Sequence, residues 1–232
     1  MSTKIFEGTT VLVTGASSGI GEAFARNLAK RGANLILAAR SEDKLVRVAD
    51  ELREKYRISV HVFPVDLISP DAPRQLFGRI KAAGLSVDVL VNNAGFGKWA
   101  HFLGESLDTY EQMLSLNVNA LVRLTYLCVP NMLARGKGGV INVASTAAFQ
   151  PAPYIAIYAA SKAFVLSFTE ALAGEYRERG IRILALCPGF TATNFMAIAN
   201  AKTAGIPFAT AEEVAEAGLT AFVKGKSYLV HG

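Results

Sequence analysis

The 232 residues carry 24 Lys and Arg against 19 Asp and Glu, a formal net charge of +5, and 51% of them are hydrophobic. That is enough apolar material for a large core, in one domain or two. The positive surplus forms no stripe: in residues 41–57 the basic side chains alternate with Glu42, Asp43, Asp50, Glu51 and Glu54, the pattern of a solvated helix face, which argues against nucleic acid as a partner.

No apolar run approaches the roughly 18 residues of a membrane span; the best candidate, around Leu121 to Leu133, is interrupted by Arg123 and Pro130. The apolar run near the N-terminus is too short for a signal peptide. The expectation is a soluble, cytoplasmic chain with no membrane partner. Cys128 and Cys187 lack metal-ligand spacing and sit in apolar surroundings, and His61, His101 and His231 are scattered, so buried thiols and no metal are expected.

In chain order, Thr9 to Thr14 is a short run rich in β-branched residues, a buried-strand signal. It runs into Gly15-Ala-Ser-Ser-Gly19-Ile-Gly21 and a helical pattern through Phe24, Leu28 and Arg31. Glycines at such a turn let the backbone approach a ligand, and the helix N-terminus favours an anion. The spacing is T-G-x-x-x-G-x-G, not the commoner G-x-G-x-x-G. Gly32 closes the helix, and Asn34 to Ala39 reads as a second strand. A helix from about Ser41 to Tyr56, opened by a Ser cap and two acids, follows. A strand over Ser59 to Pro64, a helix over about Asp71 to Ala83 and a strand over Val87 to Asn92 come next.

This alternation predicts an α/β fold: a Rossmann-type, doubly wound parallel sheet of about seven strands with helices on both faces. Right-handed crossovers put the crevice at the carboxyl ends of the strands. Gly15–Gly21, Arg40, Asp66 and Asn93-Ala94-Gly95 all fall at such ends. A long helix from about Leu107 to Arg135 carries Asn117 and Asn119 in its middle. Strand Gly139 to Ala144 delivers Ser145, and the helix carrying Tyr158 runs to about Arg179. Strand Ile181 to Leu186 ends in Cys187-Pro188-Gly189; Phe190 to Thr210 is irregular and apolar. A helix over about Ala211 to Val223 and a strand over Tyr228 to Val230 finish the chain. With no repeat or linker, residues 1–232 read as one domain.

Tyr158 and Lys162 are four residues apart in a helical pattern and so share a face. A phenol has a reference pKa of about 10, and lowering it by about 3 units takes roughly 4 kcal/mol. A cation about 4 Å away at an effective dielectric of about 20 supplies that much. The expectation is a tyrosine drawn down by the lysine into an acid–base that works at pH 7.

Thr14-Gly-x-x-x-Gly-x-Gly21, Asn92-Asn-Ala-Gly95, Ser145, Tyr158-x-x-x-Lys162 and Pro188-Gly189, in this order and at these distances, resemble the short-chain dehydrogenase/reductase family along the whole chain. Within it, the chain looks similar to bacterial members related to hydroxysteroid dehydrogenases. The resemblance implies a catalytic tetrad of Asn117, Ser145, Tyr158 and Lys162. Tyr158 would exchange a proton with the substrate oxygen as nicotinamide exchanges hydride with its carbon. Ser145 would hold that oxygen, Lys162 would lower the tyrosine's pKa and bind ribose hydroxyls, and Asn117 would hold a water linking Lys162 to solvent. For the cofactor it implies Gly15, Ser17, Ser18, Gly19, Ile20 and Gly21 at the phosphates. Asp66 and Leu67 would meet the adenine, and Asn93, Ala94 and Gly95 the middle. Pro188, Gly189 and a threonine, Thr193 in preference to Thr191, would meet the nicotinamide. Ala144 and Ala148 depart from the family's usual Ser and Gly, and the sequence ends two residues after its last strand, where similar proteins often continue with a tail.

The acid that selects NAD normally lies about 20 residues past the glycines. Here the second strand ends Ala38-Ala39-Arg40-Ser41, and Arg40 offers a donor fork suited to a 2′-phosphate. NADP(H) is therefore the expected cofactor. Three loops, 96–102, 147–154 and 190–208, should line the space above the nicotinamide with Trp99, Phe102, Phe149, Tyr154, Phe195, Met196 and Ile198. Ser145, Phe149, Tyr154, Tyr158 and Phe195 are the expected substrate contacts. The third loop, with Gly205 and Pro207, reads as a lid over about 190–210; Lys98 or Lys202 could meet an acidic end. These features predict an NADP-dependent reductase of a medium-sized, largely apolar ketone or aldehyde. A sugar-nucleotide epimerase would show T-G-x-x-G-x-x-G and a longer chain, and a non-enzymatic sensor would tend to lack the Tyr or Lys. Apolar faces on the helices around 107–135 and 154–179 suggest burial against something beyond the sheet, which the family resemblance implies is a second copy, in a homodimer or homotetramer.

Overall fold

Strand β1, Thr10–Thr14, lies in the interior of a seven-stranded parallel sheet. The computed structural model describes residues 5–200 and 208–232, so the proposed roles of Lys202, Gly205 and Pro207 lie outside the described residues, as does the Met196 side chain. Along β1 the side chains alternate: Val11 and Val13 join one core, while Leu12 joins the other. A strand buried on both faces has to be apolar throughout, which is why the period-2 signal is absent from the sequence.

The sheet order is β3-β2-β1-β4-β5-β6-β9, with β2 Asn34–Ala39, β3 Val60–Pro64, β4 Val89–Asn92, β5 Gly138–Val143, β6 Ile181–Pro188 and β9 Tyr228–His231. Order reverses between β1 and β4, and the carboxyl ends of those two strands open the crevice for a ligand. Helices α1 (Gly19–Ala29), α2 (Glu42–Tyr56) and α8 (Ala211–Val223) cover one face; α3 (Ala72–Ala82), α5 (Leu121–Arg135) and α6 (Ala156–Tyr176) cover the other. Ser41 occupies the N-cap of α2 with extended backbone, but its hydroxyl makes no capping bond. The cap expected there is positional only.

The long helix is continuous over Leu107–Arg135 but not uniform. Helix α4, Leu107–Leu114, passes through one π turn, Ser115–Ala120, into α5. Asn117 sits inside that turn. A π turn widens the helix locally and re-aims its side chains, and such turns often occur at functional sites.

The segment expected to be irregular has framework at both ends. Strands β7 (Thr191–Ala192) and β8 (Ala209–Thr210) pair in parallel, and α7 (Phe195–Ala199) stands between them. Thr210 and Glu213 then form a reciprocal capping box at the start of α8.

By length and hydropathy, Leu107–Arg135 and Ala156–Arg179 are each sufficient to cross a membrane, contrary to the expectation that no such run exists. The windows mix two faces: Leu124, Cys128, Val165 and Ala173 are buried, while Tyr126 is 78% exposed and Phe164 43% exposed.

Candidate active site

The glycine turn is built by exclusion of side chains. A Cβ on Gly21 would lie 2.2 Å from the Gly15 carbonyl oxygen and 2.5 Å from Asn93 Nδ2. Gly15 and Gly19 have φ of +66° and +57°, which only glycine adopts readily. Asn93 fastens this turn to β4: its Nδ2 donates to the carbonyls of Thr14 at 3.0 Å and Gly15 at 3.4 Å. Thr14 Oγ1 accepts from the amides of Asn93 and Ala94 at 3.0 and 3.1 Å. Ser18 caps α1 by position only, with no side-chain bond to the amides of the first turn. A tight cradle with free helix amides fits a dinucleotide pyrophosphate. The residues expected at the phosphates, Ser17, Ser18, Gly19, Ile20 and Gly21, therefore surround one feature. Asn93 and Thr14 act as its struts.

Arg40 is exposed at the carboxyl end of β2 and makes no hydrogen bond or ion pair among the described residues. Asp66 is also exposed, but its Oδ1 already accepts from the Ile68 amide at 3.1 Å. Leu67 is buried in the core beneath β3, which leaves its main chain for a ligand.

At the other side of the crevice stand the four tetrad candidates. Ser145 follows β5 and its hydroxyl accepts from the Ala147 amide at 3.1 Å. Tyr158 and Lys162 lie one turn apart on α6, as the spacing requires. Lys162 is 5% exposed; its Nζ donates to the Val143 carbonyl at 2.8 Å and lies 5.7 Å from the centroid of the Tyr158 ring. The expected lowering of the phenol pKa is overturned. Burial pushes Tyr158 up to about 12, against a hydrogen bond from Ser145 that pulls it back. Burial also drives Lys162 down to about 8, with Cys187 acting in the opposite sense. The reason is geometric: the ammonium is spent on a carbonyl and stands above the ring, in a site that strips water from both charged forms.

Asn117 is 1% exposed and its amide is almost fully engaged. Oδ1 accepts from the Phe96 amide at 3.1 Å; Nδ2 donates to the Phe96 carbonyl at 2.9 Å and to Ser161 Oγ at 3.1 Å. Both its N–H donors are committed to protein. The expected role in holding a water is left to its remaining lone pair and main chain. Gly95 is required here, since a Cβ would meet Asn117 Oδ1 at 2.9 Å.

Pro188 and Gly189 end β6, where Gly189 N–H donates to the His231 carbonyl at 2.7 Å. Thr191 is buried and its hydroxyl donates to the Gly189 carbonyl at 3.1 Å. Thr193 packs its methyl where a Cβ on Gly19 would lie, 3.1 Å away, which places it beside the glycine turn. Of the aromatic candidates, Phe195 meets Tyr158, with ring centroids 5.5 Å apart. Tyr154 meets His101 edge-on at 4.9 Å and has φ +67°. Phe149 faces Tyr228 at 6.5 Å, and Phe102 stacks on Tyr110 of α4 at 5.5 Å. Phe102 is thus anchored to the helix, away from the Tyr158–Phe195 pair. Among the described residues no cluster of His, Cys, Asp or Glu could hold a metal.

Two residues escaped the sequence reading. Ser161, just before Lys162, donates to the Tyr158 carbonyl at 2.7 Å and accepts from Asn117. A buried serine three residues after the tyrosine is the available signal, because such hydroxyls bond back along a helix. Gly97 carried no signal of its own.

A profile of the short chain dehydrogenase family matches residues 9–204. The very-long-chain 3-oxoacyl-CoA reductase of Bos taurus is 35% identical over 197 residues, 82% of this chain and 62% of that protein. This chain thus spans under two thirds of the length of that relative. A short-chain dehydrogenase from Sphingobium yanoikuyae in complex with NADPH superposes with a TM-score of 0.90 at 31% identity, covering 96% of this chain and 87% of that one. The bulky-bulky ketone specific alcohol dehydrogenase from Comamonas testosteroni gives a TM-score of 0.85 at 30% identity, covering 96% and 85%.

Proposed function

The chain belongs to the short-chain dehydrogenase family, and we propose that it is an NADP(H)-dependent oxidoreductase that reduces a medium-sized, largely apolar ketone or aldehyde. The observation that carries this is the setting of Tyr158: one helical turn from Lys162, whose ammonium lies 5.7 Å from the centroid of its ring, with Ser145 beside it lowering a pKa that burial raises. It stands across the crevice from the glycine cradle.

Bound NADPH supplies a hydride to the carbonyl carbon. The chain's own residues handle the oxygen. Ser145 holds it as negative charge grows there, and Tyr158 gives up its proton, so the product is the alcohol and the residue is left as phenolate. A phenol pushed up to about 12 is neutral and keeps its proton at neutral pH, which suits the reducing direction. Lys162, drawn down to about 8, is the stronger acid of the two and can restore the proton. Asn117 and Ser161 hold the backbone on which this pair depends.

Phe195 packs beside Tyr158, and with Phe149, Tyr154 and Ile198 it would offer the substrate an apolar lining, where apolar area gains roughly 25 cal/mol for each Å² buried. The bovine relative is named for a 3-oxoacyl thioester and the Comamonas protein for bulky ketones. Both are carbonyls on apolar frames, which supports the substrate class. Exposed Arg40, and the NADPH in the Sphingobium protein, support NADP(H). Leu107, Leu114, Tyr126 and Phe164 leave an apolar surface on α4, α5 and α6, which supports a homodimer or homotetramer. The sheet-facing sides of those helices support a soluble, cytoplasmic protein.

The test is NADPH oxidation against ketones, aldehydes and 3-oxoacyl thioesters of growing chain length, with Tyr158→Phe alongside. Turnover should rise with apolar length and fall about 10²–10⁴-fold in the variant while NADPH affinity holds. A variant retaining more than about a tenth of the activity removes Tyr158 as the acid. A flat length profile, or preference for polyols, removes the substrate class.

A further inference from the structure

Gly97 lies where the chain leaving β4 passes the Tyr158 ring. A Cβ on it would stand 3.0 Å from Tyr158 Cδ2, 3.2 Å from Tyr158 Cγ and 3.1 Å from Phe195 Cζ. Its φ is outside the left-handed region, so lack of room, not torsion, is what excludes a side chain. Those separations are tight without being impossible: a methyl group fits only if one of the two rings gives way by a few tenths of an ångström.

The segment cannot drift away from the ring, because it is fastened before and after Gly97. Asn117 holds Phe96 by both its amide and its carbonyl. Trp99 N–H donates to the Ala199 carbonyl at the end of α7 at 2.7 Å, and Ala100 N–H donates to the Tyr154 carbonyl at 2.9 Å. Behind Asn117, Ser161 accepts from its amide and donates to the Tyr158 carbonyl. One side chain, Asn117, is therefore tied both to the chain that crosses the ring and, through Ser161, to the backbone that carries the ring.

We propose that Gly97 is a positioning residue for Tyr158, acting with Phe195 as a clamp that sets the angle of the ring and so the place of its hydroxyl. The proposal rests on reading Tyr158 as the proton donor. It gives Asn117 a job besides any water relay: holding Gly97 against the ring. It also assigns Phe195 a partner on the enzyme as well as on the substrate. Misplacement of a reacting group by a fraction of an ångström is enough to slow a proton transfer, while the pyrophosphate cradle at Gly15–Gly21 shares no residue with the clamp.

The test uses Gly97→Ala, Phe195→Leu and the double variant in the full chain. Three quantities are read: kcat with the best ketone, NADPH affinity by fluorescence, and the Tyr158 ionisation by ultraviolet titration as a difference from Tyr158→Phe. Gly97→Ala should lower kcat about tenfold and displace the Tyr158 titration, with NADPH affinity within about twofold. Phe195→Leu makes room for the new methyl, so the double variant should recover most of the kcat lost and return the titration toward that of Phe195→Leu alone. If Gly97→Ala matches the wild type in rate and titration, the ring is not held by Gly97. Failure of the double variant to recover, or loss of NADPH binding in Gly97→Ala, overturns the clamp as well. A wild type that turns over no carbonyl, yet shows the titration displaced in Gly97→Ala and returned in the double variant, overturns the functional reading and leaves the clamp standing.

Discussion

Lys162 aims its ammonium at the Val143 carbonyl, 2.8 Å away, and stands above the ring of Tyr158. The lysine is buried, so the charged form pays for lost hydration with a single neutral acceptor and an aromatic face in return. Between the ordinary value near 10.5 and the buried value of about 8 the gap is worth ~3 kcal/mol. The folded chain binds fewer protons than the unfolded chain in that window, so the contribution of Lys162 to stability is fully present above pH 10.5 and falls as pH drops toward 8. Lys162→Met removes the dependence. Denaturant midpoints for both proteins from pH 7 to 10, below the range where Tyr158 titrates, should show the wild type gaining on the variant as pH rises. Parallel curves would mean that Lys162 is not held down by burial.

A buried polar ladder joins α6 to the sheet. Asn92 Nδ2 donates to Asn142 Oδ1 at 2.9 Å and to Thr125 Oγ1 at 3.1 Å, and Asn142 Nδ2 donates to Thr169 Oγ1 at 2.9 Å. Asn92 and Asn142 are paired residues of β4 and β5, and Thr169 is on α6. Asn142→Ala takes out the middle rung and strands buried polar atoms on both sides, at a cost of ~2–4 kcal/mol. Calorimetry should show the melting temperature down by roughly 5–15 °C, with activity per folded molecule close to that of the wild type. A change below about 2 °C would show that the neighbouring groups re-pair without it.

Much of this was legible in the sequence, and the reason is local. Asn34–Ala39 follows the glycine that closes the preceding helix, so its start is set within a few residues. The glycine turn, Ser145, Tyr158 and Lys162 follow from spacing. What was not legible depends on partners distant in sequence. Asn92 reads equally well as a turn residue until Asn142 and Thr125 are brought to it. The π turn at Ser115–Ala120 has no glycine or proline to announce it. The direction of the Tyr158 shift turned on burial and on the Val143 carbonyl, neither of which a four-residue spacing contains.

Gly21 and Gly78 differ in kind, and alanine substitution should tell them apart. At Gly21 a Cβ would meet the Gly15 carbonyl oxygen at 2.2 Å, backbone against backbone, whereas at Gly78 in α3 nothing lies within 4 Å. Gly21→Ala must open the cradle, and NADPH should lose at least about tenfold in affinity, with its stabilising effect on melting reduced accordingly. Gly78→Ala should leave affinity alone and raise stability by ~0.5–1 kcal/mol, since alanine costs less entropy than glycine in a helix interior. Fluorescence titration and melting curves on the two variants decide the matter. Unchanged NADPH binding in Gly21→Ala would place the pyrophosphate elsewhere.

Arg40 is the residue proposed to choose the dinucleotide. It is exposed at the end of β2, free of ion pairs among the described residues, and followed by Ser41 before the first acid, Glu42. A guanidinium can hold a 2′-phosphate by two charge-assisted bonds, and a bond to a charged group is worth ~1.5–3 kcal/mol. Removing it should therefore cost NADPH about 10- to 100-fold in affinity, while NADH, which has a hydroxyl at that position, should change by less than about threefold. Arg40→Asp goes further: a carboxylate accepts from the ribose hydroxyls and repels the phosphate, so the preference should reverse toward NADH. Thermal shifts of the wild type, Arg40→Ala and Arg40→Asp with each dinucleotide at equal concentration give the answer in one experiment. Equal losses for NADPH and NADH in Arg40→Ala would show that the arginine supports the fold of the turn and does not read the phosphate.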